Sequence, residues 1–255
     1  LEDVFKNNNI EFLLDYEEDM DGNVKKFLNA NKITIGKFKN WNLFFEILSN
    51  NPSLPNESIF NATQLYYNGI ENIKNIANKF TNLSHFTYYP SITSSDIEID
   101  LSPLINLKTA ILDSVNVTEI IYKNESVQTD ITINNISSHT RLDIKCNTLT
   151  INKGIIDDTT SSLEIKNIKL IDLHIDKFYS PIKTLTVLSI INCSNFNLPI
   201  LQGLKELTIE KCTDVDITLL NLATIEKIYI TDTNIKDTNI KDGPSFNLSE
   251  MKALK

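Results

Sequence analysis

One short phrase is spelled three times in the second half of the chain: LTVLSIINCSNF from Leu185, LKELTIEKCTDV from Leu204 and IEKIYITDTNI from Ile225. Each copy sets an apolar residue, a second three positions on, a third two further, and a small or polar residue after three more. A unit this short cannot bury its apolar positions alone. It must stack on its neighbours, and stacked units form a solenoid.

Looser copies carry the pattern upstream. Ala62, Leu65, Tyr67 and Ile70 open it, followed by Leu83, Phe86, Tyr88 and Ser91, then Leu107, Ala110, Leu112 and Val115. Ile131, Ile133 and Ile136 form a less regular unit, and Leu163, Ile165 and Ile168 another. The second anchors recur at about 19–25 residues. The interval from Ile131 to Leu163 is too long for one coil and too short for two. Leu142–Ile144 and Leu149–Ile151 each offer a strand there, and the sequence does not choose between them.

LKELTIEKCTDV resembles the leucine-rich-repeat consensus L-x-x-L-x-L-x-x-N/C-x-L. Leu204, Leu207, Ile209, Cys212 and Val215 take its places, and Leu185, Leu188, Ile190, Cys193 and Phe196 repeat them. The resemblance spans about residues 62–235. It departs from the family in preferring Ile. It also carries Ser91, Val115, Ile136, Ile168 or Thr233 where Asn or Cys is usual. Coils without that side chain must satisfy their turn backbone in another way. The resemblance implies an α/β solenoid: a right-handed stack with a parallel, concave β-sheet and short helical or 3-10 return segments. It also implies a role in binding protein.

Residues 1–60 read as a helical N-terminal cap, 61–235 as the solenoid and 236–255 as a C-terminal cap or tail. In the cap, Asp3 to Asp21 has helix-like apolar spacing through Val4, Phe5, Ile10, Phe12, Leu13 and Leu14. Ile33–Ile35 is an expected strand. Trp41, Phe44, Phe45, Ile47 and Leu48 form an amphipathic helix, broken by the two prolines of Asn51–Pro55. Glu71 to Phe80 is an expected helical return, with Ile73, Ile76, Ala77 and Phe80 on one face.

Several function classes are disfavoured. The net charge is −9, and Arg141 is the only arginine. Nucleic-acid binding requires a basic face, and no Lys/Arg cluster here supplies one. No apolar run approaches the roughly 18–20 residues of a membrane span. Three cysteines (Cys146, Cys193, Cys212) do not make a disulfide framework, although Cys193 and Cys212 hold equivalent places in adjacent coils. Buried free thiols or one bond between coils are both open. His85, His139 and His174 stand at no metal-ligand spacing. Six glycines form no phosphate loop. The acids Asp157–Asp158 and Glu17–Asp19 read as solvated loop residues. The expectation is a chain with no catalysis, no cofactor and no metal, bound to another protein.

Alternation turns the anchors inward and the residues between them outward. The candidate partner-binding positions on the concave strands are therefore Tyr66, Asn68, Thr87, Tyr89, Ile111, Asp113, Thr132, Asn134, Glu164, Lys166, Ser189, Ile191, Thr208, Glu210, Tyr229 and Thr231. Two settings compete. An opening Leu1 rather than Met, and sequons such as Asn82, Asn124, Asn135 and Asn192, fit a secreted or surface protein of an AT-rich eukaryotic parasite. The unpaired thiols fit an intracellular scaffold. A third reading is a polysaccharide-acting β-helix using Asp157 or Asp158.

Overall fold

The computed structural model describes residues 11–14, 32–35, 63–67, 73, 77–78, 80–89, 97–113, 117–124, 128–158, 162–178, 182, 184–196, 201, 203–216 and 224–236. Every strand pairing among them is parallel. The strands are β1 (Glu11–Leu14), β2 (Lys32–Ile35), β3 (Gln64–Tyr67), β4 (His85–Tyr88), β5 (Ile97–Asp100), β6 (Thr109–Asp113), β7 (Val117–Lys123) and β8 (Asp130–Ile136). They continue as β9 (Arg141–Asp158), β10 (Ser162–Phe178), β11 (Val187–Ile191), β12 (Glu206–Glu210), β13 (Val215–Asp216), β14 (Lys227–Thr231) and β15 (Ile235–Lys236).

The chain winds so that each coil adds one strand to a main ladder, ordered β1-β2-β3-β4-β6-β8-β9-β10-β11-β12-β14. From Leu65 onward one interior column runs Leu65, Phe86, Ala110, Ile131, Leu149, Ile168, Leu188, Leu207 and Ile228. Coil lengths along it range from 18 residues (Ile131 to Leu149) to 24 (Phe86 to Ala110). A second interior column holds Tyr67, Tyr88, Leu112, Ile133, Ile151, Leu170, Ile190 and Ile209, all essentially without exposure. Burying each such side chain contributes roughly 1.5–3 kcal/mol before the entropy of ordering the chain is subtracted.

The ambiguous interval resolves into one continuous strand that serves three ladders. Glu119–Lys123 of β7 pairs with Arg141–Lys145 of β9, while β8 pairs with Thr148–Gly154 of the same strand. Both sequence candidates are therefore strand, in one coil, on different sides. β10 follows β9 along its whole length through Asp143–Cys146, Thr148–Asn152 and Gly154–Asp158. The first ladder is thus β5, β7 and the starts of β9 and β10. The second is the main ladder. The third is the ends of β9 and β10, continued by the bridges His174–Ser194–Thr213 and by the β13–β15 pair.

Three sequence expectations are corrected. The stack is a parallel β-solenoid with almost no helix, not an α/β one: among the described residues only Ile73, Ala77 and Asn78 are α-helical, and Thr224 is a single 3-10 residue. Ile73, Ala77 and Phe80 of that return are buried as the helical face required. Glu11–Leu14, expected within a helix, is a strand paired with β2, which in turn pairs with β3. The sheet therefore begins upstream of Ala62, and a helical cap is not shown. The expected helix around Trp41 and the tail beyond 236 lie outside the described residues. Finally, Ile168 is not a turn residue. It stands in the interior column beside Leu188, so the unit read from Leu163 is one segment out of register.

The corners explain how the chain turns. Asn135, Lys153, Asp172, Asn192, Lys211 and Asp232 all have left-handed backbone, with φ between 49° and 62°, and all follow the same register position of the second ladder. Asn and Asp enter this conformation at least cost because their short polar side chains bond locally.

Candidate functional site

The outward face of the second ladder carries columns of side chains about 4.8 Å apart. One column reads Tyr66, Thr87, Ile111, Thr132, Thr150, Lys169, Ser189, Thr208 and Tyr229. Another reads Asp113, Asn134, Asn152, Ile171, Ile191, Glu210 and Thr231. Tyr89 stands at the head of this second column, its backbone amide donating to the Tyr67 carbonyl at 2.9 Å. The structure thus brings most of the expected outward residues onto one face.

Their exposure differs. Tyr66 is 38 % exposed, Tyr89 48 % and Tyr229 60 %. Thr87 is buried at 7 % and offers a partner little surface. Ile111, Asp113, Thr132, Asn134, Ser189, Ile191, Thr208 and Glu210 are half-buried, and Thr231 is exposed. Asn68 lies outside the described residues.

Glu164 and Lys166 do not belong to this face. Glu164 is paired with Lys145 in the first ladder, one segment before the main one, and their side chains form an ion pair at 3.1 Å. Arg141–Glu119 at 3.2 Å and Lys123–Asp143 zip the same ladder. Each of these pairs keeps at least one end exposed to solvent, which limits its contribution to about 1 kcal/mol. Lys166 sits at the corner, where its carbonyl accepts the Thr186 amide at 2.8 Å. In their stead the face contains Thr150, Asn152, Lys169 and Ile171, which sequence reasoning missed because the register through β9 and β10 was open.

At the left-handed corner, polar side chains bridge consecutive coils. The Asn135 amide donates to Asp113 Oδ1 at 3.0 Å, Asn152 to Asn134 Oδ1 at 3.0 Å, and Asn192 to Asp172 Oδ1 at 2.6 Å. The recurring Asn or Asp at this step is a signal the sequence carried; the abundance of Asn elsewhere hid it.

The thiols complete the turn that follows. The backbone amide of Cys193 donates to Cys212 Sγ at 3.4 Å, and the amide of Cys212 donates to Thr233 Oγ1 at 3.3 Å. Thr233 therefore does for its neighbour what the cysteine does one coil earlier. Cys146, Cys193 and Cys212 are all free and buried. Contact with Cys212 and then burial raise the Cys193 thiol, while the same contact pulls Cys212 down. Among the described residues no group of three or more His, Cys, Asp or Glu could hold a metal ion, and no helix is long and apolar enough to cross a membrane.

Comparison with protein-family models, with curated proteins and with solved structures finds no match to this chain.

Proposed function

We propose that the chain is a non-catalytic protein-binding module, and that its contact surface is the outward face of the second ladder. One observation carries this reading. Tyr66, Tyr89 and Tyr229 expose large rings on that face. Tyr66 and Tyr229 stand eight strand spacings apart, about 38 Å. Exposed aromatic rings are the side chains most often found dominating interface energetics. Between them most of the strip is short, as at Thr132, Thr150, Ser189 and Thr208, with Ile111 and the exposed Lys169 as the longer side chains a partner would meet.

The test is capture of partners from the native source by the wild-type chain and by a Tyr66→Ala/Tyr89→Ala/Tyr229→Ala variant. The expected outcome is a partner whose affinity falls at least tenfold in the variant, with unchanged circular dichroism. Undiminished binding by the folded variant would remove this face from the account.

An intracellular scaffold is the second reading, favoured by a separate observation. The three thiols are free, and the sequon amides of Asn124, Asn135 and Asn192 are engaged in hydrogen bonds to Ile105, Asp113 and Asp172. A glycan on any of these nitrogens would replace one of its two hydrogens and would have to fit beside the acceptor already bound there. Intact mass of the native protein decides: unmodified mass supports the scaffold, and sugar at these sites supports secretion.

A further inference from the structure

We infer that a cleft at the left-handed corner of the second ladder binds a neutral oligosaccharide. The cleft has a volume of about 330 Å³ and opens where β6, β8, β9 and β10 leave the main sheet. Asp113, Asn134, Asn152 and Ile171 line it from one column of the ladder, and the corner residues Asn135, Lys153 and Asp172 line its rim. Asp113, Asn134, Asn152 and Ile171 belong to the outward face proposed for a protein partner, but none of the three exposed tyrosines lines the cleft, so the tyrosine variant and a cleft variant test the two readings separately.

The lining selects the ligand class by chemistry. Two carboxylates against one ammonium disfavour phosphates and acidic chains. Asp113 and Asp172 are separated by three coils, about 14 Å, too far to share a cation. No aromatic ring is present, and Ile171 is the single apolar side chain, so the cleft lacks the anchor pocket of a protein interface. What remains is a row of amides and carboxylates at the coil repeat. Asn135 and Asn152 each spend one N–H on Asp113 and Asn134, and Asp172 accepts from Asn192, which leaves a second N–H on each of those amides and further lone pairs on each carboxylate for a ligand. Vicinal hydroxyls, each donor and acceptor at once, match such a row. Ile171 supplies an aliphatic surface for the C–H face of a ring. The volume is at the small end of ligand pockets, suited to about two sugar units.

The corner geometry gives a fold-sparing test. Asn135, Lys153 and Asp172 have φ of 57°, 62° and 55°, a conformation glycine takes freely. The variant Asn135→Gly/Lys153→Gly/Asp172→Gly therefore strips the rim while allowing the same backbone turn. It also removes the Asn135–Asp113 and Asn192–Asp172 bonds, so the single variant Lys153→Gly, which breaks neither, is assayed beside it. Asp232→Gly, at the same corner two coils beyond Asn192 and outside the cleft, is the control. Wild type, rim variant and control are applied to an array of neutral and acidic oligosaccharides, and binding of the retained sugars is titrated by calorimetry. The expected result is saturable binding of a neutral oligosaccharide, weakened at least tenfold in the rim variant and unchanged in the control, with both variants folded by circular dichroism. Retention of acidic glycans only, of no glycan, or of a neutral glycan equally by rim variant and wild type would each overturn the inference. The fate of the tyrosine variant in partner capture is independent of all these outcomes.

Discussion

Tyr88 places its ring in the interior, stacked on Tyr67 at 5.8 Å between centroids, and its hydroxyl has no hydrogen-bond partner among the described residues. Burial, followed by the nearby Asp113 carboxylate, pushes its pKa up from 10.0 to about 12. The neutral phenol is the form the fold tolerates. Stability from this group is intact below the unfolded value and is lost as pH rises through the folded one, since the unfolded chain then holds fewer protons. Urea unfolding of wild type and Tyr88→Phe at a series of pH values checks this. Between pH 10 and 12 wild type should lose about 1–2 kcal/mol more than the variant. At neutral pH the substitution should be neutral or mildly stabilising, because it removes a buried group that bonds nothing. Parallel pH curves would contradict the assignment. Gly154 makes the opposite case. Its φ is +126°, and a β-carbon there would stand 2.0 Å from the Ile136 carbonyl oxygen. Gly154→Ala should cost about 3 kcal/mol or more in the same assay, a clash no neighbouring side chain can relieve by rotating.

Single strands show where the sequence was legible. In β11 and β12 each segment is five residues of strict alternation, and the register of Leu188 on Leu207 and of Leu207 on Ile228 is the one the repeated phrase implies. The thiol positions follow from the same phrase. β9 was not legible in this way. Its Leu142, Ile144, Leu149 and Ile151 are all buried, so hydrophobic spacing alone cannot say which pair feeds the main ladder. The deciding features are corners at Asn147, which has no glycine or proline beside it, and at Lys153, where the adjacent Gly154 is a turn signal too short to fix the register alone. The resulting one-segment slip placed Glu164 and Lys166 on the wrong side, and it hid Thr150, Asn152, Lys169 and Ile171. Leu207 tests the legible part. It is fully buried between Leu188 and Ile228. Leu207→Asp should leave a charge without a partner there and destabilise by more than about 4 kcal/mol. Hydrogen exchange should show protection lost first in β11, β12 and β14, because a solenoid coil depends on its immediate neighbours.

Across the whole molecule, continuity of one sheet gives the proposed functions their common ground. Outward columns on a parallel ladder put Tyr66 and Tyr229 on one wall, and the same stacking lines up the corner amides that build the cleft. Both depend on each coil adding one strand, without skipping or reversing. The most direct measurement is the distance between spin labels placed along one outward column. Labels at Tyr66→Cys paired in turn with Ser189→Cys, Thr208→Cys and Tyr229→Cys lie six, seven and eight strand spacings apart, while the native thiols are buried. A continuous parallel stack predicts distances near 29, 34 and 38 Å, rising by about 5 Å at each step. Distances that fail to rise in that order, or that differ from it by a whole spacing, would contradict it.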